Sequence, residues 1–183
     1  MEQTILSYRF IMSNIGRLLP DRLLVGTGIV NRQMLTPKLF CYVSASSVAN
    51  VTGDNTVIVP LCDTVLFDIG AGYDATTGIY TAPEDGYYLI NGQIGWSNID
   101  VAHTRGQINI YNGFAGLTSQ TEASPAACRS ASNNYTQTAT QLVKLTSGQT
   151  LVMQGFVSGG AKTVGYNGDF FGQWTFLSIM KIA

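Results

Sequence analysis

Residues 63–88 read DTVLFDIGAGYDATTGIYTAPEDGYY, and this stretch decides the fold class. It contains two short runs rich in β-branched and aromatic residues, Thr64–Ile69 and Gly78–Ala82. The clusters Gly70–Gly72 and Pro83–Gly86 carry the residue types of tight turns. Short strand-like runs separated by turns at regular spacing are typical of a β-sandwich or a β-barrel.

The same pattern continues from Phe40 to the end of the chain, without helical periodicity. In Gly106–Tyr111, polar and apolar residues alternate with period two, which predicts a strand with one buried face. The less regular stretch 116–138 is rich in small polar residues and is predicted to be one long exposed loop. The remaining predicted strands are Thr56–Leu61, Tyr87–Trp96, Gln141–Leu145, Thr150–Val157 and Phe170–Ile182.

Residues 39–183 resemble the globular head of the q subunits of the complement first component. The residues that carry the resemblance are Phe67, Asp68, Tyr73, Asp74, Gly78, Tyr80, Pro83, Gly86, Tyr88, Thr175 and Phe176. The resemblance implies an all-β, ten-stranded jelly-roll sandwich, also found in tumour necrosis factor cytokines, that assembles into tight homotrimers. It also implies that Tyr80, Tyr88 and Phe176 supply core aromatic area and that Pro83 ends a strand. Gln149 and Ser178 depart from the pattern, and the collagen-like stalk of the animal members is missing.

The first 38 residues are interpreted as an anchoring arm and linker. Five apolar residues have helical, coiled-coil-like spacing, which fits either a docked helix or an extended arm with separate anchors: Ile5, Tyr8, Met12, Ile15 and Leu19. Residues 25–39 are interpreted as a linker or as one turn of an intertwined stalk. Within them, Ile29–Leu39 resembles segments of bacteriophage fibre proteins that wind three chains together ahead of a globular head.

The composition favours assembly and argues against two classes of partner. Charged residues make up 11% of the chain, against roughly 25% in an ordinary globular domain, so a lone subunit would have little charge to keep it soluble. No basic run could bind a phosphate backbone, and no apolar run is long enough for membrane insertion. The widely spaced cysteines, Cys41, Cys62 and Cys128, predict buried or half-buried free thiols made in a reducing compartment.

The chain carries no recognisable catalytic constellation, so we expect no enzyme, no cofactor and no metal. The only histidine, His103, is predicted to lie at the surface. Asp68 and Asp74 are better explained as turn-capping residues than as paired catalytic carboxylates. A calcium site could only use loop acids, namely Asp100, Glu122 and Asp169. Aromatic residues that could stack on sugars, or else belong to the core, are Trp96, Tyr111, Phe114, Tyr135 and Tyr166.

These observations together predict a non-enzymatic virion structural protein. It would be a homotrimeric short-fibre or adhesin head, made in the host cytoplasm and displayed on the virion surface. Its arm would contact other virion proteins, and its loops would face a host surface glycan or protein. The alternatives are a trimer that cements a capsid and a soluble lectin-like recognition module.

Overall fold

The computed structural model describes residues 22–25, 28–31, 38–113, 116–169 and 173–182. The chain divides into two compact units, Met1–Thr36 and Pro37–Ala183. In the first unit, β1 (Arg22–Val25) and β2 (Gly28–Asn31) form an antiparallel hairpin, where the sequence predicted only a linker. The five apolar arm residues between Ile5 and Leu19 lie outside the described residues.

The second unit is built from twelve described strands in two sheets, with one helical turn. The ten strands implied by the resemblance are therefore not the observed number; the twelve include β6, which has only two residues. The elements are β3 (Lys38–Ser44), β4 (Val48–Thr52), β5 (Thr64–Asp68), β6 (Tyr73–Asp74), β7 (Ile79–Thr81), β8 (Gly86–Ser97), β9 (Arg105–Asn112), β10 (Gly116–Ala123), α1 (Pro125–Cys128), β11 (Tyr135–Leu145), β12 (Thr150–Ser158), β13 (Val164–Asn167) and β14 (Phe176–Lys181).

One sheet has five strands and the other has seven. The five-stranded sheet runs in the order β10-β9-β12-β7-β6. The seven-stranded sheet runs β4-β13-β8-β14-β3-β5, and β11 pairs with the other edge of β8. Strands distant in sequence are neighbours in both sheets, and the described strand pairs are antiparallel, as is typical of a sandwich with long crossing connections.

The core lies between the two sheets and is filled by alternate residues of the long strands. In β8 the buried residues Tyr88, Ile90, Ile94 and Trp96 face inward. The indole Nε1 of Trp96 donates a hydrogen bond to Gln137 Oε1 at 3.3 Å, so the largest core side chain has its polar atom satisfied.

Three predicted element boundaries are wrong. Residues 116–138 are not one loop, because they contain β10, α1 and the start of β11; their polar residues belong to strands with one solvated face. Thr56–Leu61 is not a strand and contributes a single bridge, Ile58 to Gly155. The last strand begins at Phe176 rather than Phe170. Four further strands were not predicted from the sequence: β3, β4, β6 and β13, which have seven, five, two and four residues.

Candidate functional site: the outer face of the seven-stranded sheet

Rows of residues run across the solvent side of the seven-stranded sheet, and we call this surface the outer face. Leu142, Leu89 and Met180 are directly opposite one another on β11, β8 and β14 and form an apolar row. The next row is Thr140, Asn91, Ser178, Tyr42 and Phe67, across five strands. The third row contains Thr138, Gln93 and Phe176.

An aromatic cluster covers the part of the outer face that belongs to β3, β5 and β14. The ring of Tyr42 lies 6.1 Å from that of Phe67 and 5.6 Å from that of Phe176, measured between centroids. Such tilted contacts are favourable in aromatic pairs. Phe67 nevertheless remains 38% exposed, so the cluster is ordered by its own contacts yet leaves apolar area open to solvent.

A polar ladder lies beside the aromatic cluster and is held by its own hydrogen bonds. Thr140 Oγ1 donates to Asn91 Oδ1 at 3.2 Å, and Thr138 Oγ1 donates to Gln93 Oε1 at 3.3 Å. Gln93 Nε2 also donates to the carbonyl oxygen of Trp174 at 3.0 Å. These groups are neutral, and their partners fix their orientation.

The outer face carries almost no charge. Among the outward-facing positions of β8, β11 and β14 in the described residues, Lys144 alone is charged. Leu142, Leu89 and Tyr87 are 52%, 36% and 47% exposed. A contiguous surface with exposed large apolar residues and few charges has the composition of the core of a protein interface.

Of the motif residues that carried the family resemblance, Phe67 and Phe176 belong to the outer face, and the others have different roles. Tyr80 and Tyr88 are fully buried and their rings meet edge to face at 6.4 Å. Asp74 Oδ1 accepts hydrogen bonds from the backbone and the hydroxyl of Thr76 at 2.8 and 2.7 Å. Asp68 Oδ2 accepts one from the backbone nitrogen of Tyr73 at 2.8 Å. Both acids therefore cap turns.

The other motif residues have backbone roles or lie elsewhere. Gly78 has a φ of +72°, a conformation that glycine adopts readily. Pro83 follows β7, and Gly86 begins β8. Thr175 is buried and precedes β14. Phe176 was expected in the core, but it is half-buried on the outer face, because its position alternates with the core residue Leu177.

His103 is not a surface residue, contrary to the prediction from the sequence. Its side chain is fully buried among three loops at one end of the sandwich. Nδ1 lies 3.0 Å from the backbone nitrogen of Asp100 and 2.9 Å from Asp100 Oδ1, and Nε2 lies 3.2 Å from the carbonyl oxygen of Ala161. A Cβ atom added to Gly160 would approach the ring to 2.6 Å, so a glycine makes room for it. Local sequence could not reveal this burial, because the enclosing loops are distant in the chain.

The three acids considered for calcium are not brought together. Asp100 is beside His103, and Glu122 forms an ion pair with Arg105 at 2.9 Å. Asp169 accepts a hydrogen bond from the backbone of Gln173 at 2.8 Å. Among the described residues no cluster of three or more His, Cys, Asp or Glu could hold a metal ion. No described helix is long and apolar enough to cross a membrane.

The aromatic residues considered for sugar stacking fall into different environments. Trp96 and Tyr166 are buried and unavailable to a ligand. Tyr111 and Tyr135 are half-buried. Phe114 lies outside the described residues.

Apart from Phe67 and Phe176, the residues that form the outer face were not predicted from the sequence, although one signal was present. In Tyr87–Ile90, four consecutive apolar residues occupy a strand, so both faces of that strand are apolar. Such a run is typical of a strand covered on both sides. The core covers only one side here, which leaves Tyr87 and Leu89 exposed.

No protein-family model matches the chain, and no curated protein matches its sequence. Three crystal structures of murine APRIL, at pH 5.0, 8.0 and 8.5, have similar folds, with TM-scores of 0.55, 0.54 and 0.53. Their sequence identities to this chain are 12%, 13% and 12%, and each comparison covers 80% of this chain and 99% of the other. At this identity the comparison shows the fold alone: the chain has an all-β, tumour-necrosis-factor-like jelly-roll sandwich.

Proposed function

We propose that the chain is a non-enzymatic recognition module that assembles as a homotrimer through the outer face of the seven-stranded sheet. The observation that supports this best is the nearly uncharged outer face, where the Leu142–Leu89–Met180 row adjoins the aromatic cluster. Burying this apolar area between copies would contribute about 25 cal/mol of hydrophobic free energy for each Å² removed from water, and the lost freedom of the copies offsets part of it.

The composition of the chain supports the same conclusion. A net charge of −1 with only 11% charged residues leaves little electrostatic repulsion between subunits. A trimer rather than a dimer is favoured by the resemblance of residues 39–183 to the complement-head and tumour-necrosis-factor group.

Light scattering on the full chain, with matched charge substitutions, tests the assembly. We expect a trimer at micromolar concentration, and we expect Leu89→Lys and Leu142→Lys to dissociate it, because each places a charge inside the apolar row. Val101→Lys is the control, since Val101 is 75% exposed but lies in a loop away from the sheet. A monomeric parent protein, or dissociation by the control as readily as by the other two, would refute the proposal.

We further propose that the trimer is a short-fibre or adhesin head on the surface of a virion, made in the host cytoplasm. The support is the fibre-like segment Ile29–Leu39 together with cysteines that fit a reducing compartment. Residues 1–38 would bind other virion proteins, and the loops of the head would face a host surface glycan or protein. Removal of residues 1–38 should abolish incorporation into particles; a truncated chain that still incorporates contradicts the arm's role.

A capsid cement and a soluble lectin-like module remain the alternatives. Particles that lack the protein distinguish the first from an adhesin: intact shells that no longer adsorb indicate an adhesin, whereas fragile shells indicate a cement. A chain that never associates with particles and still binds saccharides would be the soluble module.

A further inference from the structure

A polar surface lies on the solvent side of the five-stranded sheet, on the opposite side of the sandwich from the outer face. Gln107, Asn109 and Tyr111 alternate along β9 with the core residues Ile108 and Ile110, so they face away from the core. Gln107 and Asn109 are nevertheless only 6% and 4% exposed. Neighbouring side chains therefore cover most of both amides, and we call the surface around these two residues the amide trough.

A series of hydrogen bonds fixes the side chains of the amide trough. Glu122 Oε2 accepts from Arg105 Nη2 at 2.9 Å, and the same nitrogen donates to Gln107 Oε1 at 2.9 Å. Gln107 Nε2 then donates to Asn109 Oδ1 at 2.7 Å. The guanidinium of Arg105 also lies over the ring of Phe156, 5.2 Å from its centroid. Both amides therefore have a defined orientation, and Asn109 is the last residue of this hydrogen-bond series.

The last residue of this hydrogen-bond series, Asn109, has one amide donor available. Asn109 Nδ2 donates no hydrogen bond to the residues that the structure describes, and it is not one of their buried unpaired atoms, so solvent reaches it. Gln120 on β10 and Gln154 on β12 are directly opposite Asn109 in register. Three amides thus form a row across adjacent strands, about 4.8 Å apart, and each amide can both donate and accept hydrogen bonds.

An apolar row runs beside the amide row. Tyr111, Val152 and Ile79 are directly opposite one another on β9, β12 and β7. On β9 and β12, the two strands that the rows share, this row lies two residues from the amide row. Tyr111 and Val152 are half-buried, and Ile79 is 36% exposed. A ligand on this surface would therefore meet hydrogen-bonding groups along one edge and apolar surface along the other.

We propose that the amide trough is a binding site for a neutral saccharide. A sugar ring presents hydroxyl groups that donate and accept at its edges and C–H groups on its face, which suits an amide row beside an apolar row. The only charges of the site, Arg105 and Glu122, neutralise each other, which favours an uncharged ligand. This inference rests on the proposed recognition function. It assigns to that function a class of ligand and a surface distinct from the outer face, through which the copies would assemble.

The test applies the full chain to an array of neutral gluco-, manno- and galacto-oligosaccharides, with sialylated and sulfated saccharides alongside, followed by titration with the strongest binder. Gln120→Ala and Gln154→Ala remove flanking amides outside the core and should each lower the association constant about three- to tenfold, the worth of one hydrogen bond. Asn109→Asp replaces the free donor with an acceptor and should reduce binding at least as much. Gln141→Ala on β11 is the matched control, because it removes an amide from the other sheet.

Several outcomes would overturn the saccharide site. These are no binding of any neutral oligosaccharide at millimolar concentration, binding confined to charged saccharides, and binding that Gln120→Ala and Gln154→Ala leave unchanged. Light scattering on the same samples separates this inference from the proposed assembly. A trimer that binds no saccharide contradicts the amide trough alone, whereas a monomer that binds one contradicts the assembly alone.

Discussion

At the scale of single residues, two glycines allow the sheets to approach closely in the core. A Cβ atom on Gly155 would lie 2.7 Å from Ile94 Cδ1 and 3.0 Å from the indole of Trp96. A Cβ atom on Gly92 would lie 2.6 Å from the sulfur of Met153. The largest side chains of one sheet therefore pack directly on the backbone of the other, and the core depends on glycine at these positions.

Asp74 makes stability depend on pH in the acid range. Hydrogen bonds from Thr76 hold the pKa of Asp74 below its ordinary value. A carboxyl group whose pKa is lower in the folded state stabilises the fold above its unfolded pKa of about 3.9, and this contribution is lost as the pH falls through the folded value. We therefore expect the stability advantage of the parent over Asp74→Ala to shrink between pH 5 and pH 2. The free energy of unfolding of both proteins is measured in urea at each pH. A difference between the two that stays constant from pH 5 to pH 2 would contradict this prediction.

The three cysteines should differ in reactivity. Burial raises the pKa of the Cys62 thiol to about 12, and burial also raises that of Cys41; Cys128 is exposed. The thiolate is the reactive form, so we expect a disulfide reagent to titrate one thiol per native chain and all three in denaturant. Cys128→Ser should abolish the native reaction, and a persistent native reaction in that variant would show that a buried thiol is accessible.

At the scale of elements, Thr175 joins three strands of the seven-stranded sheet. Its hydroxyl oxygen accepts a hydrogen bond from the backbone nitrogen of Gly95 in β8 at 3.1 Å. The hydroxyl donates to the carbonyl oxygen of Asn167 in β13 at 2.6 Å. The residue directly precedes β14, so one buried side chain fixes where that strand enters the sheet.

Thr175→Val should therefore destabilise the protein although it keeps the shape of the side chain. The buried backbone nitrogen of Gly95 and the part-buried carbonyl oxygen of Asn167 would lose their partner, which costs about 2 kcal/mol in the free energy of unfolding. Thr136→Val, on an exposed position of β11, should change it by about 0.5 kcal/mol or less. Equal effects in chemical denaturation would show that the Thr175 hydrogen bonds contribute nothing specific.

At the scale of the whole molecule, the two solvent sides of the sandwich have different chemistry. The seven-stranded sheet presents apolar and aromatic rows, and the five-stranded sheet presents amides and an ion pair. Residues on both sides come from strands distant in sequence, so each surface exists only after the sheets have formed.

Assembly through the outer face should depend only weakly on salt. The face lacks charge pairs that salt could screen, and hydrophobic association persists at high ionic strength. We expect the association constant to change less than about threefold between 0.1 and 1 M sodium chloride, measured by sedimentation. A steep decrease of the association constant with salt would indicate an interface held by ion pairs. It would exclude the outer face as the interface between copies.

The sequence alone determined the all-β class, because residue alternation and turn chemistry are local properties. The jelly roll was implied by the family resemblance of residues 39–183, whose motif residues lie mainly in residues 63–88. The sequence also allowed the turn-capping roles of Asp68 and Asp74 to be predicted, since such hydrogen bonds reach only a few residues along the chain.

Only the tertiary structure decided the burial of His103, the position of Phe176 and the two surfaces. Each depends on which distant strands or loops become neighbours: Asn109 meets Gln120 and Gln154 only in the assembled sheet. The hydrophobic pattern of a strand determines which of its faces is buried, but it does not reveal which distant strands become its neighbours in the sheet.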